Sequence, residues 1–346
     1  MTEPAEASLP GARGVDAGPG QRAGTAPPSA EQRVPEFFIV GHPKCGTTAL
    51  YEMLRRHPQI YMPEVKEPRY FATDMRQRFQ PRRSGRLPTT LQEYLALFTA
   101  AEPGQLLGEA SPSYLVSHTA AGLIAEVQPA ARIVAIMREP ASFLRSLHLQ
   151  LVQSHVETVK DMRKAISLEQ ARREGRRIPR RSHRPASLQY SEHVRYVEQL
   201  RRYEAVLPRE QILVLIYDDF RRDNEATVRR VLSFLGVDER LPVHSQDVNP
   251  TVLVRSQQLE EMMNAVSVGR GPLSRAAKAT VKAVVPRRLR REAFRALRQG
   301  VVLGEPKPPD ERFMLELRRR FKPEVLALSQ YLDRDLVREW GYDAID

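Results

Sequence analysis

The run FFIVGHPKCGTTALYEMLRRH, residues 37–57, constrains the fold more than any other stretch of the sequence. FFIV (37–40) places large apolar residues in unbroken succession, the pattern of a strand buried on both faces. Ala49, Leu50, Met53 and Leu54 then recur at helical spacing, which predicts a helix over 47–57. Between strand and helix lie Gly41 and Gly46, separated by four residues. The alternation returns twice. ARIVAIM (131–137) reads as a strand left through Arg138, Glu139 and Pro140, and ASFLRSLHLQLVQSH continues as a helix begun near Pro140. QILVLIY (211–217) reads as a third strand, followed by acidic turn residues and a helix, NEATVRRVLSFLG, that closes at Gly236. Strands alternating with helices at this separation predict an α/β fold in three layers, with a central, mainly parallel sheet flanked by helices.

The length of 346 residues accommodates one large α/β domain or two ordinary ones. Residues 1–35 are rich in Pro, Gly and Ala and nearly devoid of large apolar side chains, so a disordered N-terminal tail is expected there. That tail lacks the basic-then-apolar order of a secretory signal, and no uncharged apolar run is long enough to span a bilayer. The expectation is a soluble, cytoplasmic protein. The single cysteine, Cys45, excludes an internal disulfide and a cysteine-based zinc cluster. Lys and Arg number 54 against 42 Asp and Glu, a net charge of +12 that suits an anionic ligand, substrate or surface.

A glycine-rich junction between a buried strand and a helix gathers backbone N–H groups and the positive end of the helix dipole at one point, which makes a phosphate site. In a nucleoside-triphosphatase loop, a lysine directly after the second glycine reaches the β- and γ-phosphates, and a Ser or Thr holds magnesium. Thr47 and Thr48 occupy those places here, and Lys44 sits inside the loop instead. The magnesium-triphosphate apparatus is incomplete. A lysine within the loop suits the bridging oxygen of a 5'-linked leaving group, where it stabilises charge that grows in the transition state. A sulfuryl group carries less charge than a γ-phosphoryl group and has less need of a metal clamp.

FFIVGHPKCGTTALYEMLRRHPQI resembles the 5'-phosphosulfate loop of sulfotransferases that use 3'-phosphoadenosine 5'-phosphosulfate (PAPS). The family's Pro-Lys-x-Gly-Thr-Thr core is present as Pro43, Lys44, Cys45, Gly46, Thr47 and Thr48. A second family signature, a strand followed by Arg-x-Pro and a Ser eight residues after the Arg, is met by Arg138, Pro140 and Ser146. The resemblance implies that Arg138 and Ser146 hold the 3'-phosphate of PAPS; a strand-end arginine supplies a charge-assisted fork and a helical serine a hydroxyl donor. EVKEPRYFA (64–72) is similar to the family's Lys-Glu-x-x-x-Phe segment, GEASPSYL (108–115) to its Glu-x-Ser-Pro-x-Tyr segment, and 188–220 to its central helix–strand pair. Residues 234–251 and 321–340 extend the likeness, so 36–346 is expected to be one sulfotransferase domain of the bacterial, heparan-sulfotransferase-like branch. The implied fold is P-loop-like, the implied donor PAPS, and no metal is implied.

An acceptor hydroxyl or amine must lose a proton to attack sulfur. In the heparan-type branch a glutamate in the segment matching KEPRYFA takes it, which points to Glu67; the structural alternative is that Glu67 only pairs with Lys66, Arg69 or a helix end. His118 and His148 compete because other branches use histidine, but His148 lies on a different helical face from Ser146 and reads as packing or surface. Cys45 lies near a helix N-terminus, which lowers thiol pKa, yet the family has variable small residues there. Tyr190 fits either an adenine or acceptor contact or the core, and Asp218 and Asp219 read as a structural turn rather than metal ligands. Three features depart from the family. Ala110 stands where a lysine is common, Phe143 replaces the second arginine of Arg-x-Pro-x-x-Arg with Arg145 two residues on, and the C-terminal basic loop has no counterpart beyond Arg270, Arg275 and the arginines of 287–291.

Two basic segments, 172–184 and 269–300, read as a solvated loop and a surface helix, or as flaps over an anionic acceptor. The function expected is in-line sulfuryl transfer from PAPS to a hydroxyl or amine of a glycan, glycolipid or small molecule, with no nucleic acid as partner. The alternatives are a P-loop kinase or NTPase, a basic nucleic-acid-binding protein, and a family member that binds nucleotide without turnover.

Overall fold

The computed structural model describes residues 33–75, 87–179, 182, 185–241 and 308–346, with the backbone of 253–254 and 303–304. Its main sheet contains β1 (Phe37–Gly41), β2 (Ile60–Tyr61), β3 (Leu106–Ala110), β4 (Arg132–Met137) and β5 (Ile212–Ile216). The order is β2-β3-β1-β4-β5, with every pairing parallel. β1 and β5 are buried along their whole length, as strands covered by helices on both faces must be.

Among the described residues the α-helices are α1 (Thr47–Leu54), α2 (Leu91–Leu95), α3 (Ala120–Val127), α4 (Pro140–Gln153), α5 (Met162–Ser167), α6 (Glu169–Arg173), α7 (Tyr196–Glu204), α8 (Tyr217–Arg222), α9 (Asn224–Leu235), α10 (Glu311–Leu332) and α11 (Leu336–Glu339). α4 starts where the sequence places it, with Pro140 in its first turn and the Glu139 carboxylate accepting from the Ala141 and Ser142 amides at 3.0 and 2.7 Å. α9 is capped by Asp223 and stops at Gly236, whose φ of 69° is left-handed. α1 ends at Leu54, short of the expected His57, because the chain turns there toward β2.

From β1 the chain runs to the edge strand β2, returns through β3, and then crosses β1 to β4. Strand order therefore reverses beside β1, and the crevice between the carboxyl ends of β1 and β4 is where open α/β sheets bind ligands. The His42 amide donates to the Ile136 carbonyl at 3.0 Å, which ties the loop after β1 to the end of β4. Behind the crevice, the chain end clasps the exit of β5. Arg334 forks onto Asp219 and Trp340 Nε1 donates to Asp218 at 3.0 Å, so both aspartates are structural. The Tyr342 hydroxyl donates to Glu139. Among the described residues no helix is long and apolar enough to cross a membrane. Of the expected tail only 33–35 are described, 269–300 lies outside the described residues, and 172–184 is described at 172–179 and 182.

Candidate active site

The loop between β1 and α1 is held in a conformation most residues avoid. Lys44 and Gly46 have φ of 66° and 82°, and a Cβ built on Gly46 would lie 2.7 Å from the Phe220 ring of α8. Gly46 is the N-cap of α1 and offers no capping side chain, and the first turn holds no acidic residue. By contrast α4, α9 and α10 are capped by the carboxylates of Glu139, Asp223 and Asp310. The first-turn amides and positive dipole end of α1 thus suit an anion from outside the chain. Cys45 and Thr47 are buried, Pro43, Lys44 and Gly46 half-buried, and Thr48 is exposed. Burial, reinforced by the Arg138 guanidinium, holds the Lys44 ammonium below its ordinary pKa.

Arg138 joins the two expected phosphate sites. Its Nη1 donates to the Lys44 carbonyl at 3.2 Å and its Nε to Ser142 Oγ at 3.1 Å, while the guanidinium lies 4.6 Å from the centre of the Tyr217 ring. Ser146 is buried on α4 one turn beyond Ser142 and so on the same face. Tyr217 is a site feature missed by sequence reasoning. Its signal was its place as the last residue of the third apolar run, 211–217.

Glu67 lies at the same edge of the sheet. Its amide donates to the Ala110 carbonyl at 3.1 Å, at the end of β3, and Ala110 is in register with Ile39 of β1. Lys66 Nζ is 3.1 Å from one carboxylate oxygen, and Arg69 pairs with the other. Burial raises the Glu67 pKa, but Arg69 and Lys66 outweigh it and hold the carboxyl below its ordinary value. The ion pairs of the structural alternative are therefore present, and they keep Glu67 ionised at neutral pH.

The competing residues have other occupations. Burial pushes the Cys45 thiol up to about 12, which leaves no thiolate to act as nucleophile. His148 and Tyr190 belong to a buried network: His148 Nδ1 lies 2.9 Å from the Tyr190 hydroxyl, which donates to Glu157 at 3.2 Å, and Glu157 pairs with the fully buried Arg172 at 2.8 Å. His118 is exposed and its amide donates to Asp74 at 2.9 Å. Two departures have packing reasons. Phe143 is fully buried with its ring 4.9 Å from that of His42, and Ala110 is in the core. Burial, reinforced by His193, pushes His42 down to about 3. The neutral ring donates from Nε2 to Gln199 Oε1 at 2.7 Å, since the Gln199 amide nitrogen donates to the Glu192 carbonyl.

A family model described as "Sulfotransferase family" matches residues 35–240, a span that contains every residue of this site. The chain belongs to the sulfotransferase family. The crystal structure of a sulfotransferase from Alicyclobacillus acidocaldarius is similar at TM-score 0.53 and 29% identity, over 67% of this chain and 91% of that one. Carbohydrate sulfotransferase 15 of Mus musculus is 29% identical over 160 residues, 35% of this chain and 28% of that protein. Heparan sulfate glucosamine 3-O-sulfotransferase 6 of Homo sapiens is 32% identical over 135 residues, 38% of this chain and 33% of that protein. This sulfotransferase chain thus spans about a third of the length of the named relatives it matches.

Proposed function

We propose that the chain moves a sulfuryl group from PAPS to a hydroxyl or amine of a carbohydrate acceptor. The observation that carries this is the uncapped N-terminus of α1 tied through the Lys44 carbonyl to Arg138. One rigid unit can then meet a 5'-phosphosulfate at the loop and a 3'-phosphate at Arg138 and Ser146. Bound PAPS supplies an activated sulfur with adenosine 3',5'-bisphosphate as leaving group. Glu67 accepts the proton of the acceptor as its oxygen or nitrogen bonds to sulfur, and Lys44 stabilises the negative charge left on the bridging oxygen when the sulfur–oxygen bond breaks. A sugar acceptor is favoured by the relatives named for carbohydrate and heparan sulfate. The kinase and nucleic-acid alternatives are not favoured by the family match, nor by Thr47 in the NTPase lysine's place.

The test is transfer of radiolabelled sulfate from PAPS to a panel of unsulfated glycosaminoglycans and simple phenols. Wild type is expected to label a glycan, and Lys44→Ala and Glu67→Gln to lose about 100-fold or more in kcat. Normal turnover by Lys44→Ala would refute the mechanism.

A further inference from the structure

The backbone that presents Glu67 is tied down by groups outside its own segment. Glu67 and Arg69 are left-handed, with φ of 60° and 55°, on either side of Pro68. What fixes them is a row of acceptors supplied by β3 and the turn after it. The amides of alternate residues 67, 69 and 71 donate to the Ala110 carbonyl at 3.1 Å, Ser111 Oγ at 3.0 Å and the Tyr114 hydroxyl at 3.3 Å. A tyrosine hydroxyl has one hydrogen, and Tyr114 spends it on Glu109 Oε2 at 3.0 Å, which turns an oxygen lone pair toward the Phe71 amide. The same carboxylate oxygen accepts from Tyr94 at 2.7 Å. The Tyr94 ring in turn stacks on Tyr70 at 4.9 Å, and Phe71 packs edge-on against Tyr94.

Glu109 is fully buried, an expensive place for a carboxyl that serves only to fill the core. Burial pushes it up to about 7, against the pull of its hydroxyl donors. We infer that Glu109 is the positioning residue of the Glu67 segment: through Tyr114 and Tyr94 it fixes the backbone that presents Glu67 to the acceptor. This rests on Glu67 being the base proposed above. It gives the GEASPSY turn a task that does not require the lysine absent at Ala110.

The test is a double-mutant cycle on the full chain, with kcat and KM for PAPS and a titration with adenosine 3',5'-bisphosphate. Tyr114→Phe is expected to lower kcat at least tenfold while the bisphosphate Kd stays within twofold of wild type. In a Glu67→Gln background the same change is expected to cost less than twofold, because it acts through the missing base. A loss of equal size in both backgrounds, or a matching loss of bisphosphate affinity, would overturn the inference and leave a merely structural tyrosine. Wild-type kcat in Glu67→Gln alone would instead remove Glu67 as base and the inference with it. Should Tyr114→Phe fail to fold, Glu109→Gln is read in the same cycle, with at least a threefold fall in kcat expected only when Glu67 is present.

Discussion

Arg138 Nη1 donates to the Lys44 carbonyl at 3.2 Å, across 94 residues of sequence, and so closes the loop after β1 against the end of β4. The residue expected to contact one phosphate thereby shapes the backbone expected to contact the other. The Tyr196 hydroxyl, donating to the Arg138 carbonyl at 2.8 Å, anchors the arginine from α7.

Arg138→Lys keeps the charge but loses the fork that reaches Lys44 and Ser142 together, as well as the planar contact with Tyr217. Charge-assisted hydrogen bonds of this kind are worth about 1.5–3 kcal/mol. Bisphosphate affinity, measured by calorimetry, is expected to fall about tenfold or more, as it would not if charge alone mattered.

Gly46→Ala places a Cβ 2.7 Å from the Phe220 ring at a left-handed φ of 82°. The backbone alone costs about 1–2 kcal/mol. Thermal melts are expected to show a lower Tm, and a parallel titration to show weakened bisphosphate binding because the first turn of α1 shifts with the loop.

Arg69→Ala removes the stronger of the two cations that hold Glu67 down and leaves the upward push of burial less opposed. If Glu67 is the base, it works only when ionised, so the acid limb of kcat/KM lies below the ordinary carboxyl value in wild type. In Arg69→Ala that limb is expected to move to higher pH. An unmoved limb would assign it to another group.

How much of this was legible in the sequence follows from which signals are local. β1, β4 and β5 are uninterrupted apolar runs, and α4 and α9 announce their ends with Pro140 and Gly236. β3 escaped notice as a strand because LLGEA holds a glycine and a carboxylate. Gly108 is there because a Cβ would lie 2.0 Å from the Phe37 ring, and the buried Glu109 accepts from Tyr94 and Tyr114 at its Oε2, facts that only the packed sheet reveals. The loop lysine and Arg138 were visible by spacing, but their contact depends on β4 lying beside β1. Glu67 was legible as an acid, its two cations as neighbours, and the balance between burial and pairing was not.

Glu157 and Arg172 form a pair with both side chains fully buried, at the start of the basic segment 172–184. Glu157→Leu strands the arginine's charge, at a cost of about 3–5 kcal/mol. Urea unfolding is expected to show a midpoint lowered accordingly, and an unchanged midpoint would mean that the segment adds nothing to the fold.

One loop-and-arginine unit is expected to bind the two phosphates of the donor. Calorimetric titration of wild type and Arg138→Ala with adenosine 3',5'-bisphosphate, beside ATP with magnesium, checks this. Micromolar bisphosphate binding that collapses in the variant, with ATP weak, is expected. Well-folded wild-type protein that ignores the bisphosphate, or binds magnesium-ATP more tightly, would contradict it.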